Sequence, residues 1–198
     1  MSDLLLLWIA AIPLMGSPGP ATMSLAAVGA AYGARRGLRF LTGIIWGTTA
    51  VLVMIATGIT GLILAQPALV HVITVLAAAY IVYLAYRIAT APVMGEALAE
   101  SRPPSFHNGF ILAIANPKAF AAIGAVYSGY RLFPLNLVAD AAAKIAALFI
   151  VIVVVNSCWL VFGSAFSNLL RHPLAGRIAN VVFAILLIAS VVLAVFAG

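Results

Sequence analysis

Charge is scarce in this sequence. Only 7% of its 198 residues are Asp, Glu, Lys or Arg, and the acids are just Asp3, Glu96, Glu100 and Asp140. Soluble domains carry about a quarter charged residues. A chain this poor in charge cannot cover itself with a polar surface, so most of its surface must face lipid. Cysteine is nearly absent. Cys158 stands alone, which rules out an intrachain disulfide and a zinc site of cysteine type. The three histidines, His71, His107 and His172, are dispersed near expected helix ends and fall in no catalytic or metal-binding motif. No cofactor and no metal are therefore expected. Basic residues outnumber acidic ones, for a net charge of +6. They form neither a dense run nor an aromatic-plus-basic face, so nucleic acid is not an expected partner. The N-terminus lacks the basic stretch of a signal peptide. It reads Met1, Ser2 and the acidic Asp3, and Leu4 onward is expected to be a retained membrane helix.

What is present is apolar length. Hydrophobic residues make up 66% of the chain, and the mean hydropathy is +1.23. A spanning helix needs about 20 apolar residues. Six segments qualify, at 4–33, 38–65, 68–90, 107–131, 136–166 and 174–197. The expected fold is all-α: a polytopic membrane protein of six transmembrane helices, one transmembrane domain over 1–198. The first and fifth segments exceed one straight crossing and must tilt, kink, re-enter or protrude. Arg35, Arg36 and Arg39 flank the first loop, Arg87 and Arg102 the third, and Arg171 and Arg177 the fifth. The opposite side holds Arg131, with Asp3 and His71. Positive loops mark the cytoplasm, which places both termini outside it. Three helices (1–90) and three of opposite sense (107–198), joined by a cytoplasmic linker at 91–106, form an inverted-topology 3+3 repeat.

Each half has one proline-broken apolar segment. The first runs Leu14-Met15-Gly16-Ser17-Pro18-Gly19-Pro20; the second, Ala113-Ile114-Ala115-Asn116-Pro117-Lys118-Ala119. Pro18 and Pro117 lie 99 positions apart. Matched interruptions in the two halves are the best sequence pointer to a transporter's binding site. Ser17 reads as an N-cap with Pro18 as the first helical residue, and Asn116 with Pro117 repeats the pattern. Helix N-termini carry unpaired N–H groups and the positive end of the dipole, so an anionic group such as a carboxylate is their natural ligand. Gly19 would let a ligand approach the backbone. Lys118, an ammonium in mid-membrane, should face a cavity or a partner. Ser17, Pro18, Gly19, Pro20, Thr22, Asn116, Pro117 and Lys118 are thus the expected substrate-binding residues. Prolines that merely kink the helices are the plainer reading.

Asp140 and Lys144 stand one helical turn apart, in the favoured acid-before-base order. They are either a mutually neutralised structural pair or a coupling site in which Asp140 takes a proton or the substrate ammonium. Gly29, Gly33 and Gly37, then Gly43 and Gly47, form a ladder that lets helices approach closely, within the chain or in a homodimer. Asn156 and Ser157 lie deep in the fifth segment, where they could line the pathway or bond between helices.

The Ser17-Pro18-Gly19-Pro20 turn, the glycine ladder, Gly109-Phe110 and the Asn116-Pro117-Lys118-Ala119 turn, in that order and spacing, resemble the LysE/RhtB family of bacterial amino-acid exporters. The resemblance covers the whole chain, including its length and six-span hydropathy. It implies proton- or ion-driven export of an amino acid or related metabolite across the inner membrane. Where many members carry a polar residue soon after the first turn, this chain has Ala21 and Thr22. Where many carry a polar or ionisable residue after the ladder, it has Thr48 and Thr49. Its fourth segment has Ala121 to Gly124 early and Arg131-Leu132-Phe133-Pro134 at its end, in place of the family's aromatic residues and terminal motif. So few acids argue against a strongly cationic substrate. The expected function is a secondary exporter of a small zwitterion. The alternatives are a membrane-embedded enzyme, which would need an acid, a base and a nucleophile in one place, and a packing subunit of a larger membrane complex.

Overall fold

A computed structural model describes residues 3–58 and 103–165 continuously, with single positions between 75 and 90 and between 177 and 189. Most of the expected third and sixth spans and of the 91–106 linker lies outside the described residues. The described elements are all helical: α1 Asp3–Gly16, α2 Pro20–Tyr32, α3 Ala34–Ala56, α4 Phe106–Ile114, α5 Pro117–Gly129 and α6 Leu137–Ala165. By length and hydropathy α3 and α6 can each cross a membrane. The pairs α1/α2 and α4/α5 qualify only when each is taken as one bent span, with bends of 65° and 61°. The protein is accordingly a polytopic helical membrane protein. Its outer faces carry large apolar side chains such as Ile9, Trp46, Ile150 and Phe162, the surface a bilayer requires.

Local chemistry sets the element ends. Ser105 caps α4 by accepting the Asn108 N–H, while the Asn108 side chain takes the Ser105 N–H in return, a reciprocal box that satisfies two end donors. The expected loop between the first two segments is reduced to Gly33 alone, at φ 78. That left-handed backbone favours glycine, and it lets α3 begin at once, so Arg35 and Arg36 stand in the first turn of α3. The long fifth segment is unbroken. At 29 residues α6 extends about 43 Å.

The core divides into two clusters. One gathers Leu25, Val28, Phe40, Ile44, Leu112 and Leu160 from α2, α4, the start of α3 and the end of α6. The other gathers Leu7, Ala11, Val51, Leu52, Ile123, Leu148 and Ile152 from α1, α5, the end of α3 and the start of α6. Both interrupted pairs therefore change cluster at their breaks, while α3 and α6 run through both clusters in opposite directions. Helix α3 packs along both α4 and α5, and α6 along both α1 and α2.

Glycine makes the tightest of these contacts. A Cβ on Gly163 would meet the Ala26 backbone, and one on Gly29 would meet the backbone of Leu160 and Ser164, so α2 and α6 touch main chain to main chain. Gly43 and Gly47 of α3 do the same with Phe106 and Phe110, and Gly109 returns the contact at Phe40 and Ile44. Gly29, Gly37, Gly43 and Gly47 of the ladder thus serve contacts within the chain, where lipid offers no hydrophobic driving force and close packing must supply the attraction.

Candidate functional site

The first break is built from carbonyls on one side and amides on the other. Helix α1 ends in carbonyl groups that have no intrahelical partner, and those of Pro13, Leu14 and Gly16 are answered. The Ser17 N–H donates to Pro13 O (3.0 Å), and the Ser17 hydroxyl to Leu14 O (3.0 Å). Trp159 Nε1, from α6, donates to Gly16 O (3.0 Å). Lys118 Nζ, from the second break, donates to Ser17 O, with Pro18 O at 3.3 Å. Ser17 therefore closes α1 and does not open α2. The N-cap of α2 is Gly19, with Pro20 at the first helical position, two residues later than the sequence predicts. Gly19 has no side chain to accept with. Its own N–H is taken by Thr22 Oγ1 at 2.9 Å, while no acceptor among the described residues takes the N–H of Ala21 or Thr22.

At the second break, Asn116 is the N-cap and Pro117 opens α5. The Asn116 side chain accepts the Lys118 N–H at 3.2 Å, and its carbonyl accepts that of Ala119 at 3.0 Å. With proline at the first position, the N–H groups of the next two residues are both taken. At those two positions α2 has N–H groups without an acceptor among the described residues and α5 does not, because Asn116 has a capping side chain and Gly19 has none. Lys118, expected to face a cavity or a partner, lines a cavity and ties the breaks together. Its ammonium rests on the negative end of α1, and its stem lies against Gly19, where an added Cβ would come within 2.6 Å of Lys118 Cδ. Gly19 is extended (φ −174), so the glycine provides room and not an unusual backbone.

Between the two core clusters lies a cavity of about 40 Å³, enough for a few waters. It is lined by Gly19, Ala21 and Thr22 of the first break and by Asn116, Lys118 and Ala119 of the second. The walls are Met15, Ala122, Ile123, Ile152 and Val155, with Thr48 from α3 and Asn156 from α6. Of the eight expected binding residues, Gly19, Thr22, Asn116 and Lys118 line it. Ser17, Pro18, Pro20 and Pro117 do not; they shape or supply backbone. Thr48 and Asn156 were not among the eight. Their signal was polarity at one depth: Thr48 falls between Ile44 and Val51, and Asn156 between Ile152 and Leu160, where α3 and α6 pass from one cluster to the other.

Asp140 and Lys144 are brought together but do not line the cavity. They form a buried ion pair of 2.8 Å. Asp140 also accepts the N–H of Leu132 (2.5 Å) and Phe133 (3.0 Å), and Lys144 donates to Tyr127 O (3.0 Å) and Tyr130 O (3.2 Å) while its Nζ sits 4.1 Å from the Tyr127 ring centre. The pair stitches the α5–α6 connection. Among the described residues no group of three or more His, Cys, Asp or Glu could hold a metal.

Helices interrupted in pairs around a small cavity that both breaks line are an arrangement suited to a membrane translocator. The model of the LysE type translocator family matches residues 12–198. A cysteine/O-acetylserine efflux protein of Escherichia coli O139:H28 (strain E24377A / ETEC) is 31% identical over 172 residues, 87% of each chain. Proteins of the same description from Escherichia coli (strain K12) and Shigella flexneri serotype 5b (strain 8401) are each 30% identical over the same share. No solved structure matches the chain. The chain belongs to the LysE type translocator family: it is a multi-pass membrane transporter and not an enzyme.

Proposed function

We propose that this translocator exports a small zwitterionic amino acid or related metabolite from the cytoplasm, and that the substrate sits in the cavity between the two breaks. One observation carries the reading. Ala21 and Thr22, whose N–H groups have no acceptor among the described residues, line the same cavity as Lys118, in the middle of a fold otherwise packed with apolar side chains. Together they suit a carboxylate. The relatives' description as efflux proteins for cysteine and O-acetylserine supports the substrate class. At about 40 Å³ the cavity must widen to admit an amino acid, as alternating access requires.

The way α3 lies on the other half's broken pair, and α6 on the first half's, supports an inverted 3+3 repeat whose halves rock about the cavity. The proline-started helices α2 and α5 then act as its two discontinuous elements. Loop charges support both termini on the outer side of the inner membrane. Asp140 is our candidate for the coupling proton, acting at a distance. Protonation would weaken its hold on the Leu132 and Phe133 amides and on Lys144, freeing the α5–α6 connection.

Everted vesicles containing the protein should accumulate labelled L-cysteine, kept reduced, or O-acetyl-L-serine when an inward-acidic proton gradient is imposed. Absence of uptake across a broad amino-acid panel, with folded protein present, would sink the export reading.

A further inference from the structure

The residues of the two breaks leave two further polar side chains of the cavity to be explained. They stand on different helices, Thr48 at 7% exposure and Asn156 at 6%. Asn156 Nδ2 donates to Ile152 O at 2.7 Å. That bond fixes which way the amide faces and leaves Oδ1 without a donor among the described residues. The Thr48 hydroxyl likewise has no hydrogen-bond partner among them. Buried polar atoms are nearly always bonded, and each exception calls for an explanation. Both exceptions line the same cavity, at the level where the core divides.

We infer that Asn156 Oδ1 and Thr48 Oγ1 receive the substrate's α-ammonium, so that the translocator reads the amine with two neutral oxygens in place of a carboxylate. The inference rests on the export reading above. A zwitterion then spans the cavity with its carboxylate on the Ala21 and Thr22 amides and Lys118, and its amine on α3 and α6. No acidic side chain among the described residues lines the cavity, so a second cationic group on the ligand would be buried unpaired, at high cost. Met15, Ile123, Ile152 and Val155 make the remaining wall apolar. The substrate class is therefore an α-amino acid with a short, uncharged side chain, and dibasic amino acids are excluded.

The test compares ligands with and without the amine in everted vesicles. Labelled L-cysteine uptake is measured against unlabelled L-cysteine, against 3-mercaptopropionate, which keeps the thiol and carboxylate but lacks the amine, and against L-lysine. In the wild type, 3-mercaptopropionate and lysine should each compete at least roughly tenfold more weakly than cysteine, the scale of a lost hydrogen bond to a charged group. Asn156→Ala and Thr48→Val should raise the KM for cysteine about tenfold and leave inhibition by 3-mercaptopropionate unchanged, so the preference for the amine collapses. Thr48→Ser, which keeps the oxygen, should retain it. Asn156→Asp should admit lysine as a competitor. A merely structural role for either residue would alter uptake of all ligands together. An unchanged preference in folded Asn156→Ala and Thr48→Val, or lysine competing as well as cysteine in the wild type, would overturn this inference while export stands. A wild type that transports no amino acid overturns the export reading, and this inference with it.

Discussion

Lys118 shows how one residue can hold a fold and line a cavity. Its ammonium sits on the carbonyls of Ser17 and Pro18 while its side chain lines the cavity. A substrate carboxylate would compete with those carbonyls for it, linking occupancy to the tie between the two breaks. Lys118→Met should raise the KM for the exported amino acid at least about tenfold, because a charge-assisted bond is worth roughly 1.5–3 kcal/mol; vesicle transport kinetics measure it. The other buried lysine predicts a different outcome. Lys144→Met strands Asp140 in a nearly sealed site, and breaking a buried pair costs about 3–5 kcal/mol, so thermal stability in detergent should fall sharply. Asp140→Asn removes the charge without stranding the lysine from its Tyr127 and Tyr130 carbonyls. In protein that remains folded, it should abolish gradient-driven accumulation while counterflow exchange persists. Accumulation at the wild-type level would remove Asp140 from coupling.

At the scale of elements, contact between helix backbones decides whether the bundle forms. Gly163 faces the Ala26 main chain with no space for a methyl group. Gly163→Val must push α6 away from α2, and overpacking of this kind costs about 1–3 kcal/mol or more. Gly124, in α5, has nothing within 4 Å of an added Cβ. Gly124→Ala should therefore be neutral or stabilising by up to about 1 kcal/mol through helix propensity. Unfolding of the two variants side by side measures the contrast. The breaks follow the same logic. Trp159 and Lys118 reach in from other elements to satisfy the carbonyl end of α1, which is how irregular backbone survives where water is scarce. The sequence predicts the location of both breaks but misplaces the first cap, since Ser17 and Gly19 are both acceptable N-caps. The choice between them depends on Thr22, which takes the Gly19 N–H only once the turn has closed.

For the whole molecule, a cavity at the junction of two core clusters, with interrupted helices on both sides and continuous helices through both, is a plan suited to rocking. It depends on orientation. If the basic loops face the cytoplasm, an N-terminal epitope should be reachable by antibody or protease from the outside of intact spheroplasts, and a cysteine placed beside Arg36 should be labelled only after permeabilisation. The reverse pattern would invert the proposed direction of assembly.

Composition by itself determined the solvent and the helical class, while the two proline turns and the glycine ladder pointed to the family. With so little charge no polar shell exists, and in lipid the backbone must satisfy itself within helices. Adjacent residues also determined the interruptions, because Pro18, Pro20 and Pro117 act on their own turns. Only the tertiary structure decided which groups share the cavity. Thr48 and Asn156 are 108 positions apart and meet through the antiparallel passage of α3 and α6. It likewise decided that Lys118 rests on distant carbonyls, and that Asp140 binds its own connection and stands apart from the cavity. Partners so far apart along the chain are chosen by packing, which no local pattern encodes.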